Sequence, residues 1–578
     1  MNSMKSQRKR MNMAAAAAVI ALVCLGASCT APKDPMPTEP TGEAMFDDLT
    51  YVGNDSYYAE HPLAGESEFY NPILPGFFSD PAICSNGKGD YYLVTSTFTY
   101  FPGVPIFHSR DLVNWRQIGH VLSRESQLVN MVGQHVSGGI FAPGLSYNPK
   151  TGTYYMITTN VGAGNFYVKT QDPAGPWSDP IYVHSVRGID PSIFIDDDGK
   201  AYVVNNDDAP NDKPEYPGHR TVRLQELDLA TDQMVGERRI LINKGCRPEE
   251  KPIWCEGPHI YKINGYYYLM TAEGGTGDWH SEVIYRSKSV WGPYEAYKGN
   301  PILTQRTLDN NRPDPITCAG HADLVQAQEG DWWAVFLACR PVKDNFENLG
   351  RETFMLPVMW TNDGWPLICN NNEIVSRTIR REGVKPEHRE GGDNWVGNGN
   401  FGMQFDFDAE QLPLQFMTLR TSGTDKYSLT KRPGWLTLKE DSIDLSDKDT
   451  PSAVFVRPQH HRYTCQTRMQ YVAGSETSQA GLTLFKDETH YLKLCATQGK
   501  LQLLKMTPEG CAVLDEQPLQ QGEAELRVES DGLQFTFSYS LNRGKDWKKI
   551  GEAQPTAFLS TRDAGGFTGT MIGLFAKK

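Results

Sequence analysis

Trp254-Cys255-Glu256-Gly257-Pro258-His259-Ile260-Tyr261 leads into the turn Ile263-Asn264-Gly265 and then into Tyr266-Tyr267-Tyr268-Leu269-Met270. Glu256 stands twelve residues before Tyr268. The same offset joins Asp80 to Tyr92, Asp190 to Tyr202 and His321 to Trp333, and an offset of thirteen joins Ala142 to Tyr155. Each first residue is small, acidic or His, and all five precede Pro, Gly or a small residue: Asp80-Pro81, Ala142-Pro143, Asp190-Pro191, Glu256-Gly257 and His321-Ala322. Most units close on a tryptophan beside a turn, namely Trp115, Trp177, Trp291 and Trp365. Tyr92 to Trp115 is 23 residues, Tyr155 to Trp177 is 22 and Tyr268 to Trp291 is 23; the third unit lacks its tryptophan. Short β-branched and aromatic runs punctuated by Gly, Asn, Asp and Pro read as strands and turns. A period of 50 to 65 residues with about four strands per unit reads as propeller blades.

The sequence therefore predicts an all-β chain with a five-bladed β-propeller over residues 67–378. A blade's first strand is its innermost, so residues in equal register on different blades converge on the axis. A series of β-sandwiches would scatter them. The charged, Gly-rich run 379–400 reads as a linker. Beyond it, strict alternation in Trp435-Leu436-Thr437-Leu438-Lys439, Ala480 to Phe485 and Leu533 to Tyr539 predicts a C-terminal β-sandwich, a concanavalin-like jelly roll, over 401–578.

The N-terminus carries a basic stretch from Lys5 to Arg10, an apolar stretch from Ala14 to Leu25, and Leu25-Gly26-Ala27-Ser28-Cys29. This pattern resembles a bacterial lipoprotein signal over 1–28, with Cys29 as the acylated residue and a plain secretory signal as the alternative. Residues 29–66, with Pro32, Pro35, Pro37 and Pro40, read as a tether. The expectation is an exported protein, held at the periplasmic or cell surface through a lipid anchor alone. Net charge is −14 over 578 residues. An acidic chain with no basic block excludes nucleic acid and anionic membrane surfaces as partners. Nine cysteines remain after the leader's two; scattered without CxxC pairs, they form neither a disulfide framework nor a zinc pattern.

Two aspartates and a glutamate brought to one axis repel, which raises at least one pKa. A proton-holding acid beside an ionised base is the equipment for hydrolysing a glycosidic bond. Glu256, following apolar Ile253 and Trp254, is the candidate general acid. Asp80 is the candidate base that activates water, and Asp190 the neighbour that raises and orients the acid. A lone Asp before Pro is an ordinary turn element; the shared register is what singles these out. His321 and Arg351 lie in one unit and are candidates for holding a sugar hydroxyl or the acids. Tyr100, Phe101, Phe141 and Phe166 are candidate sugar-stacking aromatics.

Residues 71–115, including Asn71-Pro72-Ile73-Leu74-Pro75-Gly76 and Tyr100-Phe101-Pro102-Gly103-Val104-Pro105, resemble the opening of glycoside hydrolase family 43. So do Gly188-Ile189-Asp190-Pro191-Ser192, Glu256-Gly257-Pro258-His259, Thr271 to Thr276 and Ala319-Gly320-His321-Ala322-Asp323-Leu324. The resemblance implies a five-bladed propeller, an inverting mechanism, and Asp80, Asp190 and Glu256 as base, pKa modulator and acid. It matches His321 and Arg351 to the family's active-site histidine and arginine. It implies no required cofactor and, in some members, a central calcium or sodium ion near that histidine. A loop of the sandwich near Phe567 would close the pocket and restrict action to chain ends. Two positions depart from the pattern. Ser79 stands where proline is common and is expected to lie outside the reacting groups; Phe141 replaces a frequent tryptophan. The expected activity is exo-acting release of terminal α-L-arabinofuranosyl or β-D-xylosyl residues from plant hemicellulose or arabinan oligosaccharides. The alternatives are an endo-arabinanase or xylanase on the same propeller, and a non-catalytic glycan-binding lipoprotein.

Overall fold

The computed structural model describes residues 37–369, 372–519 and 522–578. The signal over 1–28, Cys29 and the start of the expected tether lie outside the described residues. No helix among the described residues is long and apolar enough to cross a membrane.

Five antiparallel sheets follow one another from Ala82 to Leu367. Their first strands are Ala82–Ser85, Gly144–Asn148, Ile189–Ile195, Glu256–Ile263 and Thr317–Gln326. Each lies against the next, and Thr317–Gln326 packs back on Ala82–Ser85, closing a five-membered ring around the axis. Asn71 helps seal the closure: its side chain donates to the Met355 carbonyl at 2.7 Å and accepts from the Met355 amide at 3.0 Å. Trp115, Trp177, Trp291 and Trp365 each stand one to four residues before the fourth strand of their blade. That placement explains their constant distance from the second-strand aromatic.

The register has a local cause. In three blades the residue four places after the slot pairs with the aromatic twelve places after it: Cys84 with Tyr92, Phe194 with Tyr202, Val325 with Trp333. The slot residues Asp80, Asp190 and His321 share a left-handed backbone, with φ of 54°, 53° and 53°. In the fourth blade Tyr261, five places after Glu256, pairs with Tyr268. There the left-handed residue is Gly257, with φ of 56°. A tighter hairpin, Ile263 opposite Tyr266, conceals this offset in the residue count. Glu256 therefore sits one residue outside the strict register, just before a bulge, a device that re-aims side chains beside active sites.

The second domain is a sandwich of a ten-stranded and a six-stranded sheet over one large apolar core. Here the tether expectation fails in part. Glu43–Phe46 pairs with Leu436–Lys439 and Arg462–Gln470, and Leu49–Gly53 pairs with Gly402–Phe405 and Arg462–Gln470. The alternation of buried Ala44, Phe46, Leu49 and Tyr51 with less buried neighbours is strand patterning that prolines upstream obscured. The stretch 379–400 does connect the two domains, but it is laid along the first blade. Val396 donates to the Trp115 carbonyl at 2.9 Å, and Trp395 stacks on His388 and under Arg116.

The domains share a buried seam. Arg340, 2 % exposed, binds both oxygens of fully buried Glu352 at 2.7 and 2.8 Å and reaches Asp55 at 3.4 Å. Arg457 donates to the Phe77 carbonyl across the same seam. Thr418–Leu419 of the sandwich pairs with Tyr100–Phe101 of the first blade.

Candidate active site

At one mouth of the ring lies a cavity of about 240 Å³. Asp80, Asp190, Glu256, His321 and Arg351 all line it, with Phe141 and Phe567 from the expected aromatics. Three expected aromatics are elsewhere. Tyr100 and Phe101 are buried in cores at the domain seam, where their backbones pair with the sandwich. Phe166 is fully buried between the first two blades. Their sequence context did not distinguish packing from pocket lining. The cavity also includes Phe98, Ile189, Trp254, Thr276 and His280, which sequence reasoning passed over. Of these, Ile189 and Thr276 lay within the quoted family-like motifs.

Asp80 is held ionised. Its Oδ1 accepts from Arg351 Nη1 at 2.9 Å, and its Oδ2 is reached by Ser96 Oγ at 2.6 Å and Ser79 Oγ at 3.0 Å. Ser79 was expected to stand apart from the reacting groups; its hydroxyl instead touches the candidate base. Burial alone would raise the Asp80 carboxyl. The Arg351 and His321 charges and the two hydroxyls outweigh it and hold the group below its ordinary value. A carboxylate offers about four lone-pair directions, so room is left to accept from a water.

The other two acids shift the opposite way. Burial first, then the charges of Asp190 and Asp80, raise Glu256 well above its ordinary value. Burial and the charge of Asp80 raise Asp190. Asp190 also accepts a hydrogen bond from the Gly257 amide, the peptide directly after Glu256, so it grips the backbone that carries the acid. Two carboxyls pushed up beside one held down is the division of labour an acid and a base need.

Arg351 is itself fixed. Nη1 also donates to Thr276 Oγ1 at 3.1 Å, Nη2 reaches the Phe567 carbonyl at 3.4 Å, and the guanidinium stands 5.4 Å from the Phe567 ring. Phe567 comes from the sandwich, with its amide accepted by Ser137 Oγ at 2.8 Å. Its ring stacks on Phe98 at 5.8 Å and meets Phe141 edge-on at 5.9 Å. Three phenyl rings thus form one wall, and the sandwich supplies one of them. His321 is buried, and desolvation lowers its pKa to about 4, leaving the ring neutral near pH 7. A Cβ on Gly257 would come within 2.8 Å of that ring, so glycine is required there by contact as well as by φ. Among the described residues no group of three or more His, Cys, Asp or Glu is arranged to hold a metal ion.

Asp80, Phe98, Asp190, Trp254 and His321 all line this cavity and all have φ between 52° and 54°. Side chains rarely tolerate that conformation, and its concentration at one cavity marks a functional site.

Residues 69–366 match the model of glycosyl hydrolases family 43, and residues 404–578 match the β-xylosidase C-terminal concanavalin A-like domain. The chain belongs to glycosyl hydrolase family 43. It is a glycosidase, and enzymes of this family need no cofactor for catalysis. It is 38% identical over 522 residues to a non-reducing end α-L-arabinofuranosidase of Bacteroides ovatus, covering 88% of this chain and 92% of that one. It is likewise 38% identical to a xylosidase/arabinosidase of Butyrivibrio fibrisolvens, covering 88% and 95%. Among solved structures, a family 43 protein of subgroup 12 retrieved from capybara gut metagenome superposes with a TM-score of 0.86 at 42% identity, covering 93% of this chain and all of that one. The five-bladed propeller and the concanavalin-like sandwich are this family's architecture.

Proposed function

We propose that the protein is an exo-acting, inverting glycosidase that releases terminal α-L-arabinofuranosyl or β-D-xylosyl residues from hemicellulose or arabinan oligosaccharides. The observation that carries this reading is three carboxyls in a single cavity capped by Phe567, with Asp80 held below its ordinary pKa and Asp190 and Glu256 raised above theirs. At about 240 Å³ the cavity is below the roughly 300–1,000 Å³ usual for drug-sized ligands, which suits one sugar ring. An endo-acting enzyme needs a groove open at both ends, and the Phe98–Phe141–Phe567 wall stands against that. In this reading Asp80 takes a proton from water as the water attacks the anomeric carbon. Glu256 gives its proton to the departing oxygen. Asp190 keeps Glu256 protonated and aimed, and Arg351 and His321 hold sugar hydroxyls.

The test is hydrolysis of nitrophenyl β-D-xyloside and nitrophenyl α-L-arabinofuranoside, with the first-formed anomer followed by NMR. Turnover of at least one with inverted product is expected. Retained configuration, or no turnover of either, would sink the reading.

Asp190→Asn is expected to lower kcat and to move the alkaline limb of the kcat/KM profile toward acid. Burial remains the first cause of the raised Glu256 pKa, but the second, the Asp190 charge, is gone. A pH–rate profile checks this; an unmoved limb would remove Asp190 from the role.

We further propose export and membrane anchoring through Cys29, supported by the basic and apolar leader and Leu25-Gly26-Ala27-Ser28-Cys29. Cys29→Ala should shift the enzyme from the membrane fraction to the soluble fraction of fractionated cells.

A further inference from the structure

We infer that Trp254, backed by Arg220, forms a second sugar subsite that receives the unit on the leaving side of the broken bond. The inference rests on the exo-glycosidase reading and extends it outward from the cavity. Trp254 stands two residues before Glu256 and lines the same cavity, yet 39% of it is exposed. The group that protonates the departing oxygen must face the departing sugar, so the surface beside Glu256 is where that sugar lies.

The indole is built in rather than loose. Its residue is held at φ of 52°, with its amide bonded to the Gly218 carbonyl at 2.9 Å. The Arg220 guanidinium stacks over one face at 4.9 Å. Arg220 is pinned in turn: Nε donates to Asn206 Oδ1 at 2.9 Å and Nη1 binds the Asp208 carboxylate. Asn206 also donates to the Cys255 carbonyl at 2.8 Å, the peptide between Trp254 and Glu256. Asp208, Arg220, Asn206 and the backbone at 254–256 therefore form one brace. The Arg220 charge reaches Asp190 and Glu256, which places this brace beside the acid.

The chemistry recognised is a sugar ring. The C–H face of a pyranose is apolar and lies flat on the open face of an indole, while Arg220 backs the other face. An exposed tryptophan kept in a strained conformation has a cost that general packing does not explain, since its ring is not buried. Trp279, 70% exposed, lies at a separate cleft across Gly274 and serves as a control.

The test compares kcat/KM on a disaccharide and on the matching methyl glycoside, xylobiose with methyl β-D-xyloside or arabinofuranosyl-xylose with methyl α-L-arabinofuranoside. Trp254→Gly suits the purpose, because glycine adopts φ of 52° without strain and a loss then reports the ring. Its disaccharide-to-methyl ratio should fall at least tenfold. Trp254→Phe should recover most of that ratio, and Trp279→Ala should leave it unchanged. An equal fall on both substrates, or a ratio that moves with Trp279 and not with Trp254, overturns the inference while leaving the pentosidase reading intact. A wild-type enzyme that cleaves neither member of either pair overturns both.

Discussion

Glu256→Gln is expected to lower kcat on oligosaccharides by about 10²–10⁴-fold, the span of general acid catalysis. On a nitrophenyl glycoside, whose leaving group needs little protonation, the loss should be much smaller. The same substitution should raise stability. A carboxyl whose native pKa lies above its ordinary 4.5 keeps a proton that the unfolded chain releases. Native stability therefore declines as pH climbs past 4.5, until the native group also ionises. A neutral glutamine does not carry that penalty. Melting temperature measured against pH should show the variant drawing ahead of the wild type from about pH 5 upward. A variant with near-normal rates on oligosaccharides, or one with no pH-dependent gain, would defeat the assignment of Glu256 as the buried acid.

Asp80→Asn should be as severe in rate but opposite in every other signature. In the proposed mechanism the water-activating group is lost whatever the leaving group, so natural and nitrophenyl substrates should suffer alike, again by about 10²–10⁴-fold. Stability should fall, because Arg351 keeps its charge in a buried setting and loses the carboxylate at 2.9 Å. Breaking a buried pair by removing one partner costs up to about 3–5 kcal/mol, and the amide's remaining hydrogen bonds offset part of that. The Asp80 pKa is held below its ordinary 3.8, so its contribution is present above that pH and is lost as pH falls through the lowered native value. The gap between wild type and variant should accordingly be widest near neutrality and close in strong acid. Thermal melts from pH 3 to 8 on both variants read the two trends side by side. Parallel trends would mean that the acid and base have been interchanged or misplaced.

Much of this site was legible because the repeat and the chemistry share a cause. Each innermost strand opens at the mouth, so a constant count to the second-strand aromatic singled out Asp80, Asp190, Glu256 and His321 together. The count hid one thing: Glu256 lies a residue out of step, compensated by a shorter hairpin, and only the pairing of Tyr261 with Tyr268 reveals it. Aromatics were legible as a class but not as individuals. Tyr100, Phe101 and Phe166 face blade and domain interiors, while Phe98 and Trp254 face the cavity. Nothing local separates them, since the decision is made by neighbours distant in sequence. Residues 43–53 were misread for the same reason: their partners lie some 350 to 420 positions further on.

Those early strands make the catalytic domain an insertion. The second domain begins at Glu43, pauses at Gly53, and resumes at Gly402 once the whole ring has been threaded between. Its opening strands must wait, unpartnered, for the last third of the polypeptide to emerge. A truncation that ends after the ring would strand them with no sheet to join, and would also remove the phenyl ring that caps the cavity. Grafting the trailing module onto another enzyme as a cassette would fail unless both of its separated pieces were carried across.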